Sequence, residues 1–153
     1  DNMIAIAKEH ARKNNLPIEY LVSTAEDFAQ TQRETFDIIT CMELLEHVPN
    51  PEQLIQACAK LVKPKGKLFF STINRTLMSL VCVILAAEHV LRIIPTGTHQ
   101  YKNLIQPIEL KSWIENAHLI PRKLTGMNYN PFTHRAKLCK QVSMNYFIYA
   151  ERP

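Results

Sequence analysis

Two carboxylates and an imidazole stand close together in Cys41-Met42-Glu43-Leu44-Leu45-Glu46-His47-Val48-Pro49. Glu43, Glu46 and His47 are spaced i, i+3, i+4, so one helical turn would set all three side chains on one face. Such a trio can hold a hard or borderline divalent cation. A cation there would bind a substrate hydroxyl, lower its pKa and make an oxygen nucleophile near neutral pH. The same spacing also describes a capped turn whose acids face water and whose histidine is an ordinary polar contact. On the residues alone both readings stand.

The elements that would position the trio are legible around it. Phe36-Asp37-Ile38-Ile39-Thr40-Cys41-Met42 is a nearly continuous apolar run, as a parallel strand covered on both faces should be. Ligands of open α/β sheets sit beyond the carboxyl ends of their strands, which is where the trio falls. Asn50-Pro51-Glu52-Gln53 reads as a helix start, with an Asn cap and Pro at the first position, and Leu54, Ile55, Cys58, Leu61 and Val62 form one stripe. Lys63-Pro64-Lys65-Gly66 ends that helix and Lys67 to Ile73 is the next strand. A helix over residues 3–13, a strand from Ile18 to Val22, an acidic turn at Glu26-Asp27 and a helix opening at Pro107 complete an alternating pattern. Two last strands, near Arg122–Met127 and Met144–Ala150, have no helix between them and should pair antiparallel at one edge. The expectation is a single α/β domain over residues 1–153, with an apolar helical insert at about 74–99.

Composition narrows the classes. At 153 residues, 46% hydrophobic and 21% charged, the chain is neither a disordered tail nor a low-complexity linker. Average usage would give about eleven glycines; there are three, Gly66, Gly97 and Gly126, none near another. A glycine-rich phosphate loop is therefore absent from these residues. The chain opens at Asp1-Asn2-Met3 inside a helical pattern, so an upstream part is expected. Cys41, Cys58, Cys82 and Cys139 form no C-x-x-C pair, and reduced core thiols are expected.

Residues 1–62 carry ten acids and five bases, residues 63–153 four acids and thirteen bases. The asymmetry points to an anionic partner for the second part. The bases are dispersed and lack interleaved aromatics, so no nucleic acid is expected and an anionic membrane surface is preferred. Residues 77–94 supply the apolar side of that expectation. Their uninterrupted apolar part, Leu80 to Ala87, is far short of the roughly twenty residues that span a bilayer. Lys63, Lys65, Lys67, Arg75, Arg92 and Lys102 flank the segment in sequence, as on a helix lying at a lipid surface. A buried core helix or a dimer contact fits it equally.

The run from Phe36 to Pro49 resembles the post-strand motif of class I S-adenosylmethionine-dependent methyltransferases. Leu61-Val62-Lys63-Pro64-Lys65-Gly66-Lys67-Leu68-Phe69-Phe70-Ser71-Thr72 is similar to that family's later turn and strand, with Lys65 where a glycine is usual. Thr72-Ile73-Asn74-Arg75, Pro95-Thr96-Gly97-Thr98-His99 and Gly126-Met127-Asn128-Tyr129-Asn130-Pro131 narrow the resemblance to the branch that methylates catechol-type polyprenyl intermediates of ubiquinone synthesis. It covers essentially the whole chain.

The resemblance implies a Rossmann-like sheet with helices on both faces and an antiparallel C-terminal edge strand. The glycine-loop strand and the acid that holds the donor's ribose would lie upstream of Asp1. This chain is then expected to be the C-terminal portion of an enzyme, without activity alone. It implies S-adenosylmethionine as methyl donor, with Met42 contacting it and Ala25 and Glu26 bordering the adenine. It makes Glu43, Glu46 and His47 ligands of a divalent cation, Mg by expectation, with His47 alternatively the catalytic base. His99, Tyr101, Tyr129 and Asn130 are candidate acceptor contacts. A polyprenyl catechol substrate implies a cytoplasmic enzyme peripheral to the inner membrane (the matrix side in a mitochondrion), beside other ubiquinone-synthesis proteins. A methyltransferase for another small acceptor and a non-catalytic lipid-surface module are the alternatives.

Overall fold

The computed structural model describes residues 2–81, 101–130 and 133–153. Helix α1 (Asn2–Lys13) and α2 (Ala25–Thr31) precede strand β1 (Phe36–Met42), a 3-10 turn at Leu45–His47, α3 (Pro51–Leu61) and β2 (Val62–Ile73). Then come α4 (Leu77–Ser79), a 3-10 turn at Tyr101–Asn103, α5 (Pro107–Asn116), β3 (Ile120–Asn130), β4 (Arg135–Cys139) and β5 (Asn145–Glu151).

Local chemistry explains the helix starts. Asn50 accepts from the Gln53 amide and Pro51 opens α3 where its missing N–H costs nothing. Gln106 and Glu109 form a reciprocal capping box at α5, again with Pro at the first turn. The acidic turn expected at Glu26-Asp27 is the first turn of α2, because Thr24 caps it: its Oγ1 accepts from the Asp27 amide at 3.0 Å. Lys65 has a left-handed φ of 62°, so the position where the resemblance places glycine carries a backbone demand that lysine meets at some strain.

The strands form one sheet in the order β1-β2-β5-β3-β4, parallel between β1 and β2 and antiparallel elsewhere. The C-terminal strand pairs antiparallel with β3 as expected, but it is not an edge strand. It lies between β2 and β3, and β4 forms the rim. Residues 17–22 form no strand, since extended backbone becomes one only when a neighbouring edge takes its hydrogen bonds. Side chains alternate across the sheet. Leu68, Phe70, Tyr146, Ile148 and Ala150 pack with Leu54, Ile55 and Cys58 of α3 and Leu110 and Ile114 of α5. Helix α2 joins the same side, through Ala29 against Ala57 and Leu61. The described helices that pack on the sheet thus share one face. On the other face Phe69 stacks on Tyr149 with centroids 5.0 Å apart, and Ile38, Met42 and Leu138 stay exposed. Among the described residues no helix is long and apolar enough to cross a membrane. Cys82 and most of the insert, residues 82–99, lie outside the described residues.

Burial sets the reactivity of the core thiols. It pushes Cys41 up to about 11, aided by the charges of Glu46 and Glu26, and Cys58 up to about 12. Both stay protonated near neutral pH, and thiols react as thiolates. We expect alkylation of the native protein at pH 8, read by mass spectrometry, to spare Cys41 and Cys58 and to mark half-buried Cys139. Labelling of Cys58 at the rate of Cys139 would contradict this core.

Candidate functional site

The carboxyl ends of β1 and β2 are built as one unit. The backbone amide of Glu43 donates to the Ser71 carbonyl at 3.1 Å, one residue beyond the end of β1. There the chain turns sharply: Glu43 adopts a left-handed φ of 49°. The 3-10 turn Leu45–His47 follows, anchored by Leu45, which is fully buried in the core.

That backbone overturns the expected one-face trio. Glu43 stands outside the turn that carries Glu46 and His47, so the three do not share a helical face. Their partners separate them further. The Glu43 carboxylate accepts from Ser71 Oγ at 2.7 Å and from Asn145 Nδ2 at 2.9 Å. The Glu46 carboxylate accepts from Thr72 Oγ1 at 2.7 Å. Ser71 and Thr72 are consecutive on β2, and consecutive strand residues point to opposite faces. Glu43 therefore sits toward the face of Phe69 and Phe147, and Glu46 toward the helix-covered core. Among the described residues no three His, Cys, Asp or Glu groups converge on a metal position.

Glu46 is unusual in itself. It is 4% exposed, and its Oε1 is buried with no hydrogen-bond partner among the described residues. An unsatisfied buried acceptor costs about 1–3 kcal/mol, more when charged. A cation would relieve that cost, so this carboxylate fits a cation ligand. His47 is exposed at the rim of the turn, its amide donating to the Leu44 carbonyl at 3.0 Å.

The donor-contact candidates bracket the end of β1. Ala25 and Glu26 begin α2, half-buried, on the covered face. Ala25, Ile39, Cys41, Leu44, Leu54 and Cys58 line much of an apolar cleft of about 280 Å³. Met42 is on the opposite face of the same strand. Of the acceptor candidates, Tyr101 packs with Ile73, Leu104 and Met144 just past the end of β2. Tyr129 and Asn130 are engaged in the β3–β4 hairpin, with Tyr129 Oη 2.9 Å from His134 Nδ1 and Asn130 Oδ1 accepting from the Thr133 amide. His99, like the Pro95–His99 block, lies outside the described residues.

Of the flanking bases among the described residues, Arg75 and Lys102 are neighbours, Arg75 donating to the Lys102 carbonyl, and the three lysines of β2 lie apart from them. Lys63, Lys65 and Lys67 belong to the first half of β2, so even Lys67 is about 20 Å along the strand from Ile73 at 3.3 Å per residue. Arg75 is paired with Glu109. A larger depression, about 530 Å³, lies at the opposite end of the sheet among Arg33, Lys60, His118 and Arg152. Arg152 donates there to the Val62 and Ala59 carbonyls, and the other bases sit at helix C-termini, where cations offset the dipoles. It is a structural cap for α2, α3 and α5.

Sequence reasoning missed Ser71, Thr72 and Asn145. The first two carried a signal: adjacent hydroxyls at the end of a buried strand, where apolar residues are the rule, need partners. Asn145 is 102 residues from Glu43 and carried none.

A family profile described as a methyltransferase domain matches residues 1–70. A protein of Xanthomonas oryzae pv. oryzae named ubiquinone biosynthesis O-methyltransferase is 43% identical over 151 residues, 99% of this chain and 63% of its own length. One of the same name from Actinobacillus pleuropneumoniae is 48% identical over 147 residues, 94% of this chain and 63% of its length. The chain thus spans just under two thirds of the curated relatives it matches. A solved structure from Pyrococcus horikoshii aligns over 100% of this chain and 68% of its own, at TM-score 0.71 and 15% identity. A methyltransferase dependent on S-adenosylmethionine from Aquifex aeolicus aligns over 100% and 65%, at TM-score 0.65 and 13% identity.

Thr72 Oγ1 donates to the buried carboxyl group of Glu46. We expect Thr72→Val to lower stability in urea unfolding by about 1.5–3 kcal/mol. The double variant Thr72→Val with Glu46→Leu should recover most of that, because the charge leaves with its partner. Unchanged stability of Thr72→Val would contradict a buried Glu46 held by the Thr72 hydroxyl.

Proposed function

The chain is a homologue, over nearly all its length, of proteins named ubiquinone biosynthesis O-methyltransferase, and it has the class I methyltransferase fold; on that premise we propose that it transfers a methyl group from S-adenosylmethionine to a catechol-type hydroxyl of a polyprenyl ubiquinone precursor. The observation that carries the proposal is the position of Met42, Glu43, Glu46 and His47 at the carboxyl end of a parallel strand, beside the cleft that Ala25 and Leu44 line.

The sulfonium of the donor supplies a methyl group already activated for displacement. The residues have three tasks: to hold the donor, to hold an acceptor oxygen in line with it, and to remove a proton. Ala25 and Leu44 offer apolar walls to the adenine, Glu26 borders it, and Met42 packs near the sulfonium. His47, exposed at the rim, takes the hydroxyl proton. Glu46, through its unpartnered Oε1, is the carboxylate that fits a divalent cation, Mg by expectation, which would acidify the acceptor hydroxyl; Glu43, held on the opposite face, and exposed His47 do not converge with it in this arrangement and would have to turn toward it to complete the ligand set. His47 cannot serve as ligand and base at the same moment.

Access to a polyprenyl acceptor favours residence at a membrane surface, on the cytoplasmic side. The first residues of the apolar stretch support it: Leu77 is 76% exposed, Met78 53% and Val81 53%.

We expect the native polypeptide to methylate a polyprenyl catechol with labelled S-adenosylmethionine, to lose at least roughly tenfold in rate on chelation, and to recover with magnesium. His47→Ala should cost about 10²-fold or more. Methylation of short-chain catechols only would favour the reading as an enzyme of another small acceptor. No methyl transfer to either would overturn the function, and indifference to chelation would remove the cation.

A further inference from the structure

Glu43 is held from two strands that lie far from it in sequence. Ser71 of β2 donates its hydroxyl to one carboxylate oxygen, and Asn145, the first residue of β5, donates its amide to the other. Ser71 Oγ also accepts from the Glu43 amide at 3.1 Å, so both ends of the residue are fixed by one side chain. Ser71 is 1% exposed and cannot turn to water. With a donor on each oxygen the plane of the carboxylate is set. The left-handed backbone at Glu43 costs free energy that a merely structural turn would avoid by using glycine or asparagine. A glycine there would have no carboxylate for Ser71 and Asn145 to hold.

From this we infer that Asn145 and Ser71 are positioning residues, which fix the Glu43 carboxylate over the end of β1 in the orientation that the acceptor's reaction requires. Neither touches the reacting atoms; both act through Glu43. The inference rests on the proposed methyl transfer for its purpose, but the clamp is a property of the fold. It predicts that the effects of Asn145 and Glu43 are coupled, because removing the carboxylate leaves Asn145 nothing to position. It also predicts a split between rate and binding. A misoriented carboxylate slows turnover, whereas donor affinity depends chiefly on Ala25 and Leu44, which line the cleft on the covered face, away from the clamp.

The test is a double-variant cycle on the native polypeptide. Asn145→Ala and Ser71→Ala should each lower kcat roughly tenfold, the scale of a hydrogen bond to a charged group, with KM for S-adenosylmethionine unchanged. Ser71→Thr, which keeps the hydroxyl, should restore most of the loss. Asn145→Ala should add nothing to Glu43→Gln. Multiplicative losses, or an Asn145→Ala protein with normal kcat, would overturn the assignment. A second readout does not depend on turnover: the side-chain amide resonances of Asn145 should move when Glu43 is changed to Gln. An inactive parent enzyme sinks the functional reading; Asn145 resonances indifferent to Glu43→Gln sink the clamp.

Discussion

Everything at this site depends on one backbone hydrogen bond, from the Glu43 amide to the Ser71 carbonyl. It extends the parallel ladder of β1 and β2 past the last residue of β1, and so ties the turn that follows to the register of the sheet. Once Met42 is opposite Ser71, the next residue must meet the end of β2, where two hydroxyl side chains stand on opposite faces. Ser71 draws Glu43 to one side and Thr72 draws Glu46 to the other. The separation of two carboxylates that are three residues apart is thus a consequence of strand pleating, and the left-handed Glu43 is the joint that permits it.

The core makes that joint stiff. Leu45 is driven into the cluster formed by Leu54, Ile55 and Phe70, between the two separated acids, so the turn cannot rotate without opening a cavity. Tyr146 donates its hydroxyl to the Ile105 carbonyl at 2.9 Å and fills the layer beneath the strand ends. Asn145 precedes it directly, which couples the position of the amide that holds Glu43 to a fully buried ring of the sheet. Asn74 extends the same rim, donating to the Val142 carbonyl at 2.6 Å, so that the apolar stretch departs from a fixed point. The open face of Ile38, Met42, Phe69 and Phe147 is continuous with the side on which Glu43 lies.

Much of this was legible in the sequence. The apolar run of β1, the Asn50 and Pro107 helix starts and the antiparallel pairing of the last two strands follow from patterns that depend on neighbours in sequence. The rule that strand ends carry ligands drew attention to the candidate residues after β1. Their geometry did not follow from it. The spacing of Glu43, Glu46 and His47 promises a shared face only if the backbone is helical throughout, and nothing local announces that Glu43 is left-handed. The partner that holds it, Asn145, is a neighbour only through the β2–β5 pairing, which no periodicity specifies. The same holds for the bases around the insert: Lys63, Lys65 and Lys67 are near Leu77 along the chain, and β2 carries them away from it. Strand β4 escaped notice because Arg135–Cys139 is too polar and too short to show a buried pattern.

We propose that the donor is held where β1 ends. Titrating S-adenosylmethionine into the isotopically labelled native polypeptide and mapping the amide shift changes by NMR tests it most directly. The account predicts changes gathered at Ala25, Glu26 and residues 42–47, with the far end of the sheet silent. Changes centred instead on Arg33, Lys60 and His118 would place the donor at the opposite end of the strands and contradict it.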